Sequence, residues 1–111
     1  MYQAAAHNHK ARLNQYLVKE IMDATPQQLI IKLYDFAIVN CQRQNLVKTN
    51  AALQELINAL RFEGEEVADV ATGLLKLYQF CQEQMRKKNY EIVYRILTDL
   101  RDTWLKALSA Y

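Results

Sequence analysis

The chain of 111 residues holds only two glycines, Gly64 and Gly73, and one proline, Pro26. So few breakers exclude a fold of many tight turns and favour helices over sheet. Its two cysteines, Cys41 and Cys81, have no C-x-x-C spacing and make no disulfide scaffold. Both sit at apolar positions of helical periodicity and read as small buried hydrophobes of a reduced, cytoplasmic protein. Histidine is confined to His7 and His9. Two ligands without a third cannot build a metal centre, and no Glu-x-x-His pair is present for a di-iron bundle. No glycine-rich loop exists to cradle a phosphate. The most apolar stretch, Leu29–Val39, contains Lys32 and Asp35 and is too short to span a bilayer. Lys10 and Arg12 are not followed by the apolar run of a signal peptide. A net charge of +2 gives no concentrated basic face for nucleic acid. No cofactor and no catalysis are expected. Asp35, Asp99 and Asp102 read as surface carboxylates.

What the chain does have is amphipathic helix. Residues 1–24 form an arm and capping segment, in which Leu13, Tyr16, Leu17 and Ile21 mark a short amphipathic flap. Residues 25–111 form one bundle domain. Thr25-Pro26-Gln27-Gln28 places a hydroxyl at N-cap, Pro at N1 and Gln at N3, a helix start. The apolar arc of the following Leu29–Cys41 is roughly twice the ~100° that a core-lining helix requires. Either this helix is the most buried of the bundle, or it offers a second apolar face to a partner.

The polar residues Gln42–Asn50 predict a break, with Thr49 or Asn50 capping the next helix. Leu53, Leu56, Ile57 and Leu60 form that helix's narrow stripe, and Gly64 is expected as its C′ stop. A third helix opens on Glu65, Glu66 and Asp69 and closes on Arg86–Lys88, complementing its macrodipole. Its seam is Val67, Val70, Ala71, Leu74, Leu77, Tyr78, Cys81 and Met85, and Asn89 ends it. The fourth carries Val93, Ile96, Leu97, Leu100, Trp104 and Leu108, with Glu91/Arg95 and Asp102/Lys106 as i,i+4 pairs. Short connections make this an all-α, antiparallel four-helix bundle. No internal repeat is evident. Without the break, a straight helix of about 36 residues, some ~54 Å long, would carry two apolar faces about 140° apart. That alternative leads to a helix-exchanged dimer, and the hinge to a monomer.

Asp23-Ala24-Thr25-Pro26-Gln27-Gln28-Leu29 followed by Leu33-Tyr34-Asp35 resembles the TASPeeL…LYdgA signature of the flagellin export chaperones, the FliS family. Tyr16 falls where that family has a tyrosine, Leu74–Tyr78 resembles its L..LYdy helix, and Leu100–Trp104 its lrdtW ending. The resemblance implies a cytoplasmic chaperone that binds the C-terminal helices of flagellin, delays their polymerisation and escorts them to the flagellar export gate. Taken with the apolar faces, it places partner-binding residues at Tyr16, Leu17, Ile21, Leu29, Ile30, Leu33, Tyr34, Ala37, Leu74 and Tyr78. Leu56, Leu60, Leu77, Leu100 and Trp104 are then structural core. Two departures stand out. Phe36 replaces the family's usual Gly, and Phe36–Leu60 is shorter than usual, so the helices should be truncated at that hairpin or rearranged. An alternative of another class is a structural or assembly bundle that has lost its flagellin client.

Overall fold

The computed structural model describes residues 26–109. The arm, the flap residues Tyr16, Leu17 and Ile21, and the expected capping hydroxyl of Thr25 lie outside them. The described residues form four helices: α1 (Pro26–Gln42), α2 (Leu46–Asn58), α3 (Glu65–Arg86) and α4 (Tyr90–Ser109). Each packs on its chain neighbours and α4 closes back on α1, giving the antiparallel four-helix bundle that the pattern predicts.

The break after α1 is real, and its chemistry differs from the expectation. Gln44 adopts φ +57°, so a non-glycine residue takes the left-handed position that ends the helix. Its N–H bonds Cys41 O at 2.9 Å and the Asn45 N–H bonds Asn40 O at 2.9 Å, a Schellman closure. Asn45, not Thr49 or Asn50, is the N-cap of α2, its side-chain oxygen accepting from Lys48 N at 3.0 Å. Thr49 is instead buried inside α2, and Asn50 stitches α2 to α3 by reciprocal bonds with Gln82.

Gly64 also has a different role. Helix α2 stops at Asn58, and Gly64, at φ +90°, is the residue from which α3 starts. Glu65 and Glu66 lie in the first turn of α3 and Arg86 in its last, as the macrodipole favours. Asp69 falls beyond that first turn. Helix α3 ends at Arg86 rather than Asn89, with Lys88 at φ +65°. The Glu91–Arg95 pair forms at 3.3 Å, whereas Asp102 lies 4.0 Å from Arg101. Arg101 also pairs with Asp35 and ties α4 to α1.

The turn after α3 repeats the turn after α1. Lys88 N bonds Met85 O and Asn89 N bonds Gln84 O, the same closure 44 positions on. At that offset Lys32-Leu33-Tyr34-x-Phe36 aligns with Lys76-Leu77-Tyr78-x-Phe80, Asn45 with Asn89, Leu53 with Leu97 and Leu56 with Leu100. Burial follows the same correspondence: Tyr34/Tyr78, Ala37/Cys81, Cys41/Met85, Thr49/Val93 and Leu53/Leu97 are all core pairs. The bundle is thus two equivalent helical hairpins. The repeat escapes a reading of the sequence because most surface positions have diverged, and the equivalence survives mainly in burial and turn geometry.

One core pair sets a hydroxyl opposite a methyl group. The Thr49 hydroxyl is buried without a hydrogen-bond partner, while its counterpart is Val93. Replacing a buried, unpaired hydroxyl by a methyl of equal size removes a desolvation cost. Thr49→Val should therefore raise the unfolding free energy by about 1 kcal/mol. Urea unfolding checks this, and a loss of stability would show that the hydroxyl is satisfied in solution.

Candidate functional site

Two apolar concavities lie on the bundle. The first is a groove of about 580 Å³ between α1 and α2. Leu29, Leu33, Phe36 and Val39 form its α1 wall, Ala51 and Ala52 its α2 side, with Lys32, Asp35, Asn40, Arg43, Lys48 and Glu55 around it. The second is an opening of about 560 Å³ at the end away from the two tight turns. Ile30, Leu56, Leu60, Val67, Val70, Ala71, Leu74 and Tyr78 line it, with Trp104, and Pro26 stands in its wall.

Helix α1 supplies both. Its wide apolar arc has a completely buried part, Tyr34, Ala37 and Cys41, and an edge at which Phe36 is 36% exposed, while Val39, 41% exposed, lies on the polar side of the helix with Lys32 and Asp35. Phe36, at the position of the family's Gly, is therefore a wall of the outer groove and not a core ring. The opening exists because α2, with 13 residues, is much shorter than α3, with 22. Among the described residues α2 does not reach the first turns of α3, where Val67 is 49% and Val70 64% exposed, although the sequence pattern puts both in the seam.

Of the residues expected to bind a partner, Leu29 and Leu33 line the groove, and Ile30 and Leu74 line the opening. Tyr34 and Ala37 belong to the buried core, and Tyr78, 2% exposed, reaches only the floor of the opening. Sequence reasoning missed Phe36, Val39, Ala51, Val67 and Val70. The excess width of the α1 arc was the signal for Phe36, whereas Val39 falls among the polar residues of that helix. Of the expected core, Leu56 is fully buried, while Leu60, Leu100 and Trp104 are half-buried and pack on the central cluster. Leu77 is half-buried and stands outside that cluster.

Between the two concavities sits a polar contact inside the core. The Tyr34 and Tyr78 hydroxyls meet at 2.5 Å, and Trp104 Nε1 donates to the Tyr34 oxygen at 3.1 Å. Burial, then the Tyr78 hydrogen bond, pushes the Tyr34 hydroxyl far above its ordinary value; burial also raises Tyr78. Both stay neutral and serve as hydrogen-bonding groups. Cys41 and Cys81 are completely buried, and burial pushes their thiols up, Cys81 to about 12 with help from Cys41. A thiol held protonated is a poor nucleophile, so these are packing residues. Among the described residues no three His, Cys, Asp or Glu gather as a metal site, and no helix is long and apolar enough to cross a membrane. The surfaces on offer suit the binding of apolar helix faces.

Residues 8–111 match the family described as Flagellar protein FliS. The chain belongs to the FliS family. Membership supports a general role as a flagellar export chaperone, and the four-helix architecture agrees with the fold that the resemblance implies. No curated protein and no solved structure matches the chain. In this FliS-family chain, Phe36 and the short α2 are therefore read from its own geometry.

Two measurements probe the buried contact. Tyr34 is the hub, so Tyr34→Phe strands both the Tyr78 hydroxyl and the Trp104 N–H. Tyr78→Phe leaves Tyr34 bonded to Trp104. Chemical unfolding should show a cost of about 1–3 kcal/mol for Tyr34→Phe and a smaller one for Tyr78→Phe. Equal costs would contradict the hub.

The second measurement concerns pH. Cys81 titrates at 9.0 in its ordinary state and at about 12 when folded. The unfolded chain loses this proton first, so its contribution is complete below 9.0 and is lost as pH rises towards 12. The two tyrosines add a loss of the same sign beginning near their ordinary 10.0. The urea midpoint should fall steadily above pH 9, and less steeply in Cys81→Ala. A midpoint constant up to pH 11 would show that the thiol and the hydroxyls titrate normally.

Proposed function

We propose that this protein is a cytoplasmic export chaperone that binds the C-terminal helices of flagellin, holds them from polymerising and escorts them to the flagellar type III export gate. The observation that carries the reading is the outer side of α1. A FliS-family bundle with a complete core still exposes Phe36 and Val39 along an apolar groove. An amphipathic helix laid into such a groove buries its own apolar face in place of a filament neighbour. No nucleotide is required for this exchange.

The binding surface combines the groove with the end opening. Leu29, Leu33, Phe36, Val39 and Ala51 take one apolar segment of the client, and Ile30, Val67, Val70 and Leu74 take another. Tyr16, Leu17 and Ile21, which lie outside the described residues, join this site on the strength of the family resemblance. The turn at Gln44 and Asn45 favours a monomer over the helix-exchanged dimer.

Titration calorimetry with a flagellin C-terminal fragment tests the proposal. Phe36→Asp and Val67→Asp should each weaken binding by about tenfold or more, since each sets a charge against apolar surface. Their melting temperatures should change little, because both side chains are exposed. Tyr16→Asp and Ile21→Asp should weaken binding in the same way. A wild-type chain that does not bind the fragment would point to a structural or assembly bundle without a flagellin client. The short α2 favours that second reading, since it leaves one groove wall short.

A further inference from the structure

The charges around the groove between α1 and α2 are cationic at the turn end and mixed beyond it, where Lys32 stands with Asp35 and Glu55. At the turn end the groove closes between Arg43, just past α1, and Lys48, in the first part of α2. Both are exposed, and neither forms an ion pair with a described residue. Towards the other end the α2 wall finishes in Glu55. The C-terminus of α1 and the N-terminus of α2 meet at the turn, so their opposite end charges largely offset one another. The two side chains decide the sign there.

The second hairpin provides an internal comparison. At its equivalent positions Val39 becomes Glu83, Ala51 becomes Arg95 and Lys48 becomes Ile92. Glu83 and Arg95 are each tied into local ion pairs, with Arg86 at 2.9 Å and Glu91 at 3.3 Å. Only the first hairpin keeps apolar residues at these groove positions, Val39 and Ala51, and a cation at the Lys48 position, while Arg43 keeps its charge in the second hairpin as Lys87.

We propose that the α1–α2 groove accepts a client helix in one direction, with its C-terminal turn, and acidic residues on that turn, seated between Arg43 and Lys48. This rests on the reading of the groove as a client-helix site and adds the direction and charge of the occupant. A helix carries about half a negative charge at its C-terminus and about half a positive charge at its N-terminus. This direction sets its C-terminal carbonyls against two cations. The reverse direction sets the positive end of the helix there. From Leu29 to Arg43 the α1 wall offers about 21 Å, room for an occupant of about four turns. Arg43 and Lys48 then determine specificity, while Phe36 and Val39 supply the apolar contact.

Two synthetic amphipathic peptides of about four turns and identical composition test this. One carries a Glu pair in its last turn, the other in its first. Fluorescence anisotropy with the full chain should show the C-terminal-Glu peptide binding about tenfold more tightly, a preference that weakens with added salt. Arg43→Glu with Lys48→Glu should abolish the preference, and the milder Arg43→Gln with Lys48→Gln should reduce it. Melting curves confirm that these variants fold. Equal affinity of the wild type for both peptides overturns the directional proposal and leaves the groove standing. Failure of both peptides to bind a chain that still binds a flagellin fragment overturns it as well, and places the client elsewhere. If no flagellin fragment binds, the underlying reading fails instead. Dimerisation that Phe36→Asp abolishes would assign the groove to a second copy of the chain and overturn the proposal.

Discussion

The contact between the Tyr34 and Tyr78 hydroxyls sets the geometry on which the rest of the bundle depends. These oxygens are buried, so each must find a partner inside the protein or cost stability. Their meeting at 2.5 Å fixes the level of α1 against α3, two helices placed diagonally across the bundle. Trp104 adds a bond from α4 and draws a third helix to the same point. On the side towards the turns, Ala37, Cys41, Cys81 and Met85 close into a dry core. On the other side α2 ends early and the core opens to the surface between Ile30, Leu60 and Leu74. One polar contact thus marks the border between the half of the bundle that is finished and the half that can receive something.

The equivalence of the hairpins explains why this border is sharp. Each half supplies the same tyrosine, the same left-handed turn and the same leucines, so the common part of the core is complete without a partner. The halves differ in helix length and in surface charge. The first pair of helices has 17 and 13 residues and the second 22 and 20. The excess of the second pair overhangs the opening. The first pair keeps apolar residues where the second has paired charges. These differences of length and surface charge give the two halves of a repeated scaffold unlike surfaces.

Helix existence and order were legible in the sequence because apolar spacing and charged helix ends act locally. Pro26 fixes the start of α1, Glu65 and Glu66 the start of α3, and Val93 and Leu97 the inward face of α4. Turn details were less legible. Gln44 and Lys88 take a backbone conformation that ordinarily calls for glycine, and nothing in their side chains announces it. The sequence pattern therefore assigned the stop to Gly64 and the cap to Thr49 or Asn50.

By itself the sequence determined that α1 has more apolar surface than one core can use, and that the chain carries the residues of its family. Only the tertiary structure decided which part of that surface is spare. Tyr34 and Ala37 vanish into the core while Phe36 and Val39, on the same helix, stay outside. Periodicity gives the width of an apolar arc but not the direction in which a helix turns it. That direction follows from a long-range contact, Tyr34 with Tyr78 and Trp104, that no local pattern contains.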